Sequence, residues 1–323
     1  MVNVADSATA QLRERFGDRV RHRVPLGDLT TFRTGGKAEW LLETSRTGEI
    51  VAAVCLAREL AIPLTVLGGG SNVLVADSGL RGLVLRVRHG DIVRTDARTV
   101  RADSGVTING LVRWTVHRGL GGLERWAGTP GTVGGAIRGN AHFDGRLLGD
   151  IVTAVGLVDQ CGRVARVSAD AMGFGYDDCR VQHTGELVLW ADFRVADAPV
   201  ATLRESARRS LAFRKRTQPL DRASAGCVFQ NPMPEDGPLP SDVPRSAGAL
   251  VDLAGLKGHR IGGAMVSEVH GNFVVNEQGA SSREVRALIE HCRAVVRERF
   301  GIVLRDELVY LGDFEAEAGI EVE

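Results

Sequence analysis

Two runs of small residues carry the first chemical signal in this chain. One is Gly68-Gly69-Gly70-Ser71-Asn72. The other runs from Trp126 to Asn140, WAGTPGTVGGAIRGN, and contains Pro130, Gly131, Gly134 and Gly135. A run of small residues can turn several backbone N–H groups toward phosphate oxygens without help from a helix, and Ser71 and Asn72 would add side-chain donors. The plain alternative for GGGSN is a tight hairpin. The second run has five glycines and no apolar period, and so long a glycine-rich loop inside a domain points to function. The two runs together suggest a nucleotide cofactor lying between them, although spacing alone does not say which one.

The elements around these runs narrow the chemistry. A Rossmann loop leaves a strand and enters a helix whose N-terminus holds the pyrophosphate. Here Leu64-Thr65-Val66-Leu67 leads in, but Val73-Leu74-Val75 follows as another strand, so the Rossmann reading fails on context. Helical spacing marks residues 47–62, with Ile50, Ala53, Val54, Ala57, Leu60 and Ala61 on one face and Pro63 as the stop. It also marks 107–118, where Ile108, Leu111, Val112, Thr115 and Val116 face inward and Gly119 lies just past the end. The clearest helix is 281–300: Ser281 and Glu284 form a capping box, Val285, Leu288, Ile289, Cys292, Val295 and Val296 form the stripe, and Gly301 ends it. Residues 151–167 and 186–195 alternate as strands. A basic helix starts near Ala201, with a domain joint near 195–202. Five of the ten prolines fall between Pro232 and Pro244 and mark an exposed loop. The class is α+β or mixed α/β.

Composition sets the outer bounds. Forty glycines in 323 residues, against a usual ~7%, come without a Gly-X-Y period and so mark turns or close backbone approach to a ligand. Lys+Arg and Asp+Glu balance at 40 each, which excludes the broad polybasic surface that nucleic acid requires. The basic run Arg204, Arg208, Arg209, Arg214, Lys215 and Arg216 therefore reads first as a solvated helix face. The five cysteines are scattered with no CxxC pair, as expected for reduced thiols in a cytoplasm rather than a disulfide framework or a zinc site. No signal peptide and no apolar window near 18 residues is visible, so a soluble, cytoplasmic protein without membrane insertion is expected.

Read in order, the longer motifs resemble one family. They are Thr30-Thr31-Phe32-Arg33-Thr34-Gly35-Gly36, LGGGSNVLV, AGTPGTVGGAIRGNA, Ala225-Gly226-Cys227-Val228-Phe229-Gln230-Asn231-Pro232, AGLKGHRIGGAMVSEVHGNFVVN and Leu304-Arg305-Asp306-Glu307-Leu308. Over roughly residues 24–312 the chain is similar to the UDP-N-acetylenolpyruvoylglucosamine reductase (MurB) family, in its shorter subtype without a tyrosine-bearing lid loop. The resemblance implies a three-domain α+β fold whose FAD-binding part is of the vanillyl-alcohol-oxidase type. One FAD-binding subdomain would span 1–80, completed by 308–323, and a second 81–200. A substrate-binding domain would span 201–307. It also implies non-covalent FAD, with NADPH as co-substrate reducing it. Hydride would then pass to the enolpyruvyl β-carbon of UDP-N-acetylenolpyruvoylglucosamine and a side chain would protonate the α-carbon, giving UDP-N-acetylmuramate for peptidoglycan synthesis.

Carried over position by position, the resemblance puts Gly68, Gly69, Gly70, Ser71, Asn72, Pro130, Gly131, Gly134, Gly135 and Asn140 at the cofactor. The family's acid is a serine where this chain has Cys227. A thiol with pKa near ~8.5 is the stronger acid, although a lone cysteine otherwise reads as a small buried hydrophobe. Glu307 matches the family's catalytic glutamate. Tyr176, Arg214, Asn231 and His270 match positions that contact substrate. One position departs: where the family motif Phe-x-Tyr-Arg has arginine, Phe174-Gly175-Tyr176 is followed by Asp177, which would repel a substrate carboxylate. Arg180 or Arg138 would then supply the catalytic cation, or the activity is altered. Three residues along a strand also changes face, which counts against Arg180. Two rivals remain: a flavoprotein of the same fold with another acceptor, and a degenerate nucleotide-sugar-binding protein.

Overall fold

The computed structural model describes residues 4–239 and 243–314; part of the proline-rich loop (240–242) and the end of the 308–323 segment lie outside the described residues. The protein is α+β and divides into two units with interleaved chain segments. The first takes residues 1–24, 38–69 and 81–212, and the second 25–37, 70–80 and 213–323.

In the first unit the helix Thr47–Glu59 buries Ile50, Ala53, Val54 and Ala57, each large aliphatic contributing about 1.5–3 kcal/mol by leaving water. Ile50, Ala53 and Val54 pack with Trp40, Leu42, Leu83 and Leu85 of a sheet ordered Val20–Pro25, Lys37–Thr44, Leu80–Val87, Leu64–Leu67. Leu60 and Ala61, expected on the buried face, lie past the helix: Leu60 caps it and still packs against this core, whereas Ala61 turns to φ +51°. A second, antiparallel sheet is ordered Val164–Ser168, Val152–Val158, Leu187–Arg194, Thr99–Asp103, Ile92–Asp96. Its core takes in the helix Ile108–His117. The Thr107 side chain caps that helix by accepting the Gly110 N–H at 3.0 Å, and Gly119 beyond it adopts φ +69°.

The second glycine run is not all loop. Val133–Arg138 is a short helix with Val133, Ala136 and Ile137 buried, an i, i+3, i+4 stripe that the glycines between them disguise. A Cβ on Gly134 would lie 3.0 Å from the Ser104 Cβ, so this glycine permits close packing of the helix.

The second unit is built on the helix Ser282–Phe300. Its capping box is formed, since the Glu284 N–H donates to Ser281 Oγ and the Glu284 carboxylate accepts the Ser281 N–H. Val285, Leu288, Ile289, Cys292 and Val296 pack on a small sheet, Arg260–Ile261, Ala264–Val266, Val274–Asn276. The strand Val73–Val75 pairs in parallel with Val309–Leu311. The joint expected near 195–202 differs from the structure: the helix Val200–Thr217 runs on, and the boundary falls at 212/213. Leu203 and Ala207 belong to the first unit's core.

Candidate active site

In the first unit, the two glycine runs meet. A Cβ on Gly69 would sit 2.7 Å from Gly131 Cα, and one on Gly68 would strike Thr132 Oγ1, so only glycine lets the two backbones touch. Beside that contact is a cavity of about 410 Å³, lined by Gly68, Gly69, Gly131 and Thr132 together with Arg86, Arg88 and His89. Burial and the neighbouring Arg88 charge both pull the Arg86 pKa down, against the hydrogen bond to Glu43. Arg86 Nε is buried and has no hydrogen-bond partner among the described residues. Two like charges and an orphaned donor in a glycine-lined cavity fit a diphosphate, which would relieve the repulsion and take up the donor. The arginines were missed in the sequence, where LVLRVR reads simply as a strand.

The remaining expected cofactor contacts are placed differently. Pro130 is exposed at the tip of the run, and Gly135 lies in the short helix. Asn140 is fully buried at 0%, and both ends of its amide are bonded to protein: Nδ2 donates to the Gly175 carbonyl at 2.6 Å, and Oδ1 accepts the Gly149 N–H at 2.8 Å. The Asn140 side chain thus pins the loop that carries Tyr176 and Asp177. In that loop Asp177 adopts φ +53° and its carbonyl accepts Gln182 Nε2 at 2.8 Å. The Asp177 carboxylate pairs with His142 Nδ1 at 3.1 Å, and the His142 and Tyr176 rings are 4.9 Å apart. Arg180 is not on a strand. It precedes the short helix Val181–Thr184 and forms a two-point pair with Glu186 at 2.7 and 3.2 Å; this pairing raises its pKa. Arg138 is exposed at the end of its helix.

In the second unit, Gly70 continues the first glycine run over the segment around Thr30. Its φ is +63°, and a Cβ there would strike the Leu29 carbonyl. The Gly70 carbonyl accepts the Thr31 N–H at 2.9 Å. Ser71 is half-buried. Asn72 Nδ2 donates to the Glu307 carbonyl at 3.1 Å, and the Asn72 carbonyl accepts the Val309 N–H at 3.1 Å, so this amide holds the Glu307 segment.

The segment Cys227–Asn231 lies between two others. Cys227 bridges to Phe273 and Phe229 to Asp306, while the Glu307 N–H donates to the Val228 carbonyl at 3.0 Å. Cys227 is therefore one residue from the rung that Glu307 makes. Adjacent Asp306 is held on the interior side by Arg293 and Tyr310; burial raises its carboxyl pKa, and Arg293 and Arg286 offset the rise. Arg214 is the buried cation of the basic helix, 6% exposed. Burial pushes its pKa down to about 10, and Cys227 pulls it back up, so it stays charged near neutral pH within electrostatic reach of the thiol. Asn231 Oδ1 accepts the Ala247 N–H at 3.0 Å. Burial and Lys257 lower the His270 pKa, and its Nδ1 accepts the Asn272 N–H at 3.1 Å. His270 is thus a neutral imidazole with Nε2 protonated.

A glycine-and-arginine cradle in one α+β unit, with a thiol, a carboxylate and a buried arginine gathered in the other, defines a flavoprotein of the FAD-binding class. Residues 39–168 match the family described as FAD binding domain. Residues 218–311 match that described as UDP-N-acetylenolpyruvoylglucosamine reductase, C-terminal domain. The chain is 40% identical over 311 residues to the UDP-N-acetylenolpyruvoylglucosamine reductase of Anaeromyxobacter sp. (strain Fw109-5), covering 95% of this chain and 93% of that protein. It is 38% identical to UDP-N-acetylenolpyruvoylglucosamine reductase 2 of Symbiobacterium thermophilum, covering 91% and 92%. The crystal structure of UDP-N-acetylenolpyruvylglucosamine reductase (MurB) from Thermus caldophilus is similar with a TM-score of 0.76 and 33% identity, over 91% of this chain and 99% of that one. The chain belongs to the UDP-N-acetylenolpyruvoylglucosamine reductase family.

Proposed function

We propose that the protein is an NADPH-dependent, FAD-containing reductase that converts UDP-N-acetylenolpyruvoylglucosamine to UDP-N-acetylmuramate, a precursor step of peptidoglycan synthesis in the cytoplasm. The observation that carries this reading is the placement of Cys227 one residue from the Glu307 rung, with Arg214 in reach of the thiol. FAD held by the Gly68–Gly69, Gly131–Thr132 and Arg86–Arg88 cradle would supply the hydride chemistry. Hydride arriving at the enolpyruvyl β-carbon leaves negative charge on the α-carbon and its carboxylate. Cys227 is the acid we assign to protonate that carbon. The Arg214 charge favours the thiolate left behind, and Glu307, whose rung is made with the neighbouring Val228, is the group we assign to polarise the reacting end. Asn231 and His270 offer polar contacts to the substrate, the neutral His270 imidazole through Nε2. The described cysteines form no disulfide with one another, in keeping with the same cytoplasmic reading. No helix among the described residues is long and apolar enough to cross a membrane.

A second reading, a flavoprotein of this fold with another acceptor, is favoured by one observation: the Asp177–His142 pair stands where the resemblance expects an arginine. One experiment separates the two. The purified protein is examined for a flavin spectrum, reduced anaerobically with NADPH, and given the enolpyruvyl substrate. Reoxidation supports the first reading. Reduced flavin that ignores this substrate supports the second, and protein that binds no FAD sinks both.

A further inference from the structure

Two of the five cysteines come together within the first unit. Cys55 lies half-buried on the helix Thr47–Glu59. Cys161 is exposed in the turn that joins the antiparallel strands Val152–Val158 and Val164–Ser168. Both are free thiols. The turn is built around one carboxylate: Asp159 Oδ1 accepts the Cys161 N–H at 2.8 Å and the Arg163 N–H at 2.9 Å, and Oδ2 accepts Arg163 Nε at 2.7 Å. Gly162 completes the turn at φ +81°, and its bare face rests on the helix. A Cβ on Gly162 would lie 2.3 Å from Cys55 Sγ and 3.7 Å from Val51 Cγ1. Two side chains one helical turn apart thus both reach this turn, and only glycine leaves room for the sulfur. The Cys55 thiol therefore touches the residue that follows Cys161, although the two cysteines are more than a hundred positions apart. Consecutive Cα atoms are about 3.8 Å apart, and a disulfide spans about 4.4–6.8 Å between its Cα atoms. The offset to be closed is one residue, within a turn that glycine keeps adjustable.

We propose that Cys55 and Cys161 form a reversible redox site, oxidised by a hydroperoxide to an intramolecular disulfide and reopened by a low-molecular-weight thiol. One two-electron oxidant balances the step. The exposed Cys161 sulfur attacks hydrogen peroxide: the O–O bond breaks, an S–O bond forms, and one water leaves. The Cys55 sulfur then attacks the sulfenic sulfur, forming the S–S bond and breaking S–O as the second water leaves. Two thiols lose two electrons and two protons, and one peroxide becomes two waters. A small thiol reverses the bond through a mixed disulfide. Disulfides of this transient kind are the ones that cytoplasmic proteins use for redox sensing. The cross-link ties the helix that precedes Leu64–Leu67, the strand entering Gly68, to the hairpin of the other sheet. Closing so long a loop constrains the unfolded chain, so the oxidised first unit resists unfolding more than the reduced one. The site does not depend on the substrate proposed above and stands whichever acceptor the flavin serves.

The test uses the full, FAD-loaded chain, reduced, desalted and exposed to hydrogen peroxide. Non-reducing trypsin digestion is expected to yield the peptide Thr47–Arg58 joined to Leu147–Arg163, with two titratable thiols lost and both recovered on adding dithiothreitol. Cys55→Ser and Cys161→Ser are each expected to lose the joined peptide. With dimedone present, Cys161 in Cys55→Ser is expected to be trapped as its sulfenic adduct. The urea midpoint of the wild type, followed by tryptophan fluorescence, is expected to rise on oxidation and to stay unchanged in Cys161→Ser. Should Cys55→Ser fail to fold, Cys161→Ser, at an exposed position, gives the same peptide readout. Peroxide that leaves the two peptides separate, joins Cys161 to a cysteine other than Cys55, or links two chains overturns the proposal. So does a joined peptide that forms only in urea, because the folded contact would then play no part.

Discussion

Asn140 is the residue at which a cofactor contact and a structural role predict different numbers. Replacing it with Ala deprives two groups of their partners: the Gly175 carbonyl loses the Nδ2 donor, and the Gly149 N–H loses Oδ1. A buried group left unsatisfied costs about 1–3 kcal/mol, so the pair costs about 2–6 kcal/mol. Asn140 also sits at φ +42°, where Ala pays roughly another 1 kcal/mol and Gly does not. Asn140→Ala is therefore expected to destabilise by about 3–7 kcal/mol, and Asn140→Gly by about 1 kcal/mol less. All four tryptophans, Trp40, Trp114, Trp126 and Trp190, lie in the first unit, so urea unfolding followed by their fluorescence reports the unit that contains Asn140. FAD affinity, measured by quenching of flavin fluorescence below the unfolding transition, should change only as far as the folded fraction changes. If Asn140→Ala unfolds within about 1 kcal/mol of wild type while FAD affinity drops, the amide serves the cofactor and the structural argument is wrong.

Substitutions at four other positions probe the remaining assignments. Cys227→Ala should leave reduction of the flavin by NADPH intact and abolish turnover, while Cys227→Ser, still protic, should restore part of it; near-normal steady-state rates in the Ala variant would remove Cys227 as the acid. Gly69→Ala puts a Cβ 2.7 Å from Gly131 Cα, backbone against backbone, and should weaken FAD binding by about 1–3 kcal/mol; equilibrium dialysis of FAD is the check. Asn72→Ala frees the Glu307 carbonyl and is expected to slow turnover severalfold with FAD affinity unchanged, the reverse of what a cofactor contact would give. The hydrogen bond from Arg19 holds the Glu49 carboxyl down to about 2, assisted by Thr44 and opposed by burial. A depressed folded-state pKa stabilises above the unfolded value, and that stability is lost as pH falls. Urea midpoints should thus drop between about pH 4.5 and 2, and less so in Glu49→Gln.

Local signals were legible in the sequence and non-local ones were not. Ser281, Glu284 and Gly301 announced both ends of the longest helix within a few residues of the ends themselves, and a strand after Gly70 was enough to exclude a Rossmann loop. The helix at Val133–Arg138 was missed because two glycines of low helix propensity sit among its three buried apolar residues. Those three residues pack into a core whose other members are remote in sequence, among them Val100, Leu148, Val188 and Phe193, and most helical stability comes from such packing. The protein partners of Asn140, Asn72 and His142 were illegible for a related reason. Each acts on a partner remote in sequence, and a polar side chain next to glycines resembles a ligand contact until its partner is known. The family resemblance singled out Cys227 and Glu307 as candidate positions, but the rung joining their segments is a tertiary fact.

The pairing of Val73–Val75 with Val309–Leu311 has a consequence for biosynthesis. Its two strands are separated by some 235 residues, which a ribosome adds in roughly 10–50 s. Residues 1–212 carry every segment of the first unit and can collapse while translation continues. Phe32 and Leu74, both fully buried in the second unit's core, are made early and must wait for partners made late. During that interval the nascent chain displays an unpaired strand edge and two apolar side chains, a target for chaperones and for aggregation. Slowed elongation downstream of residue 212 should therefore reduce the yield of folded protein more than slowed elongation before it.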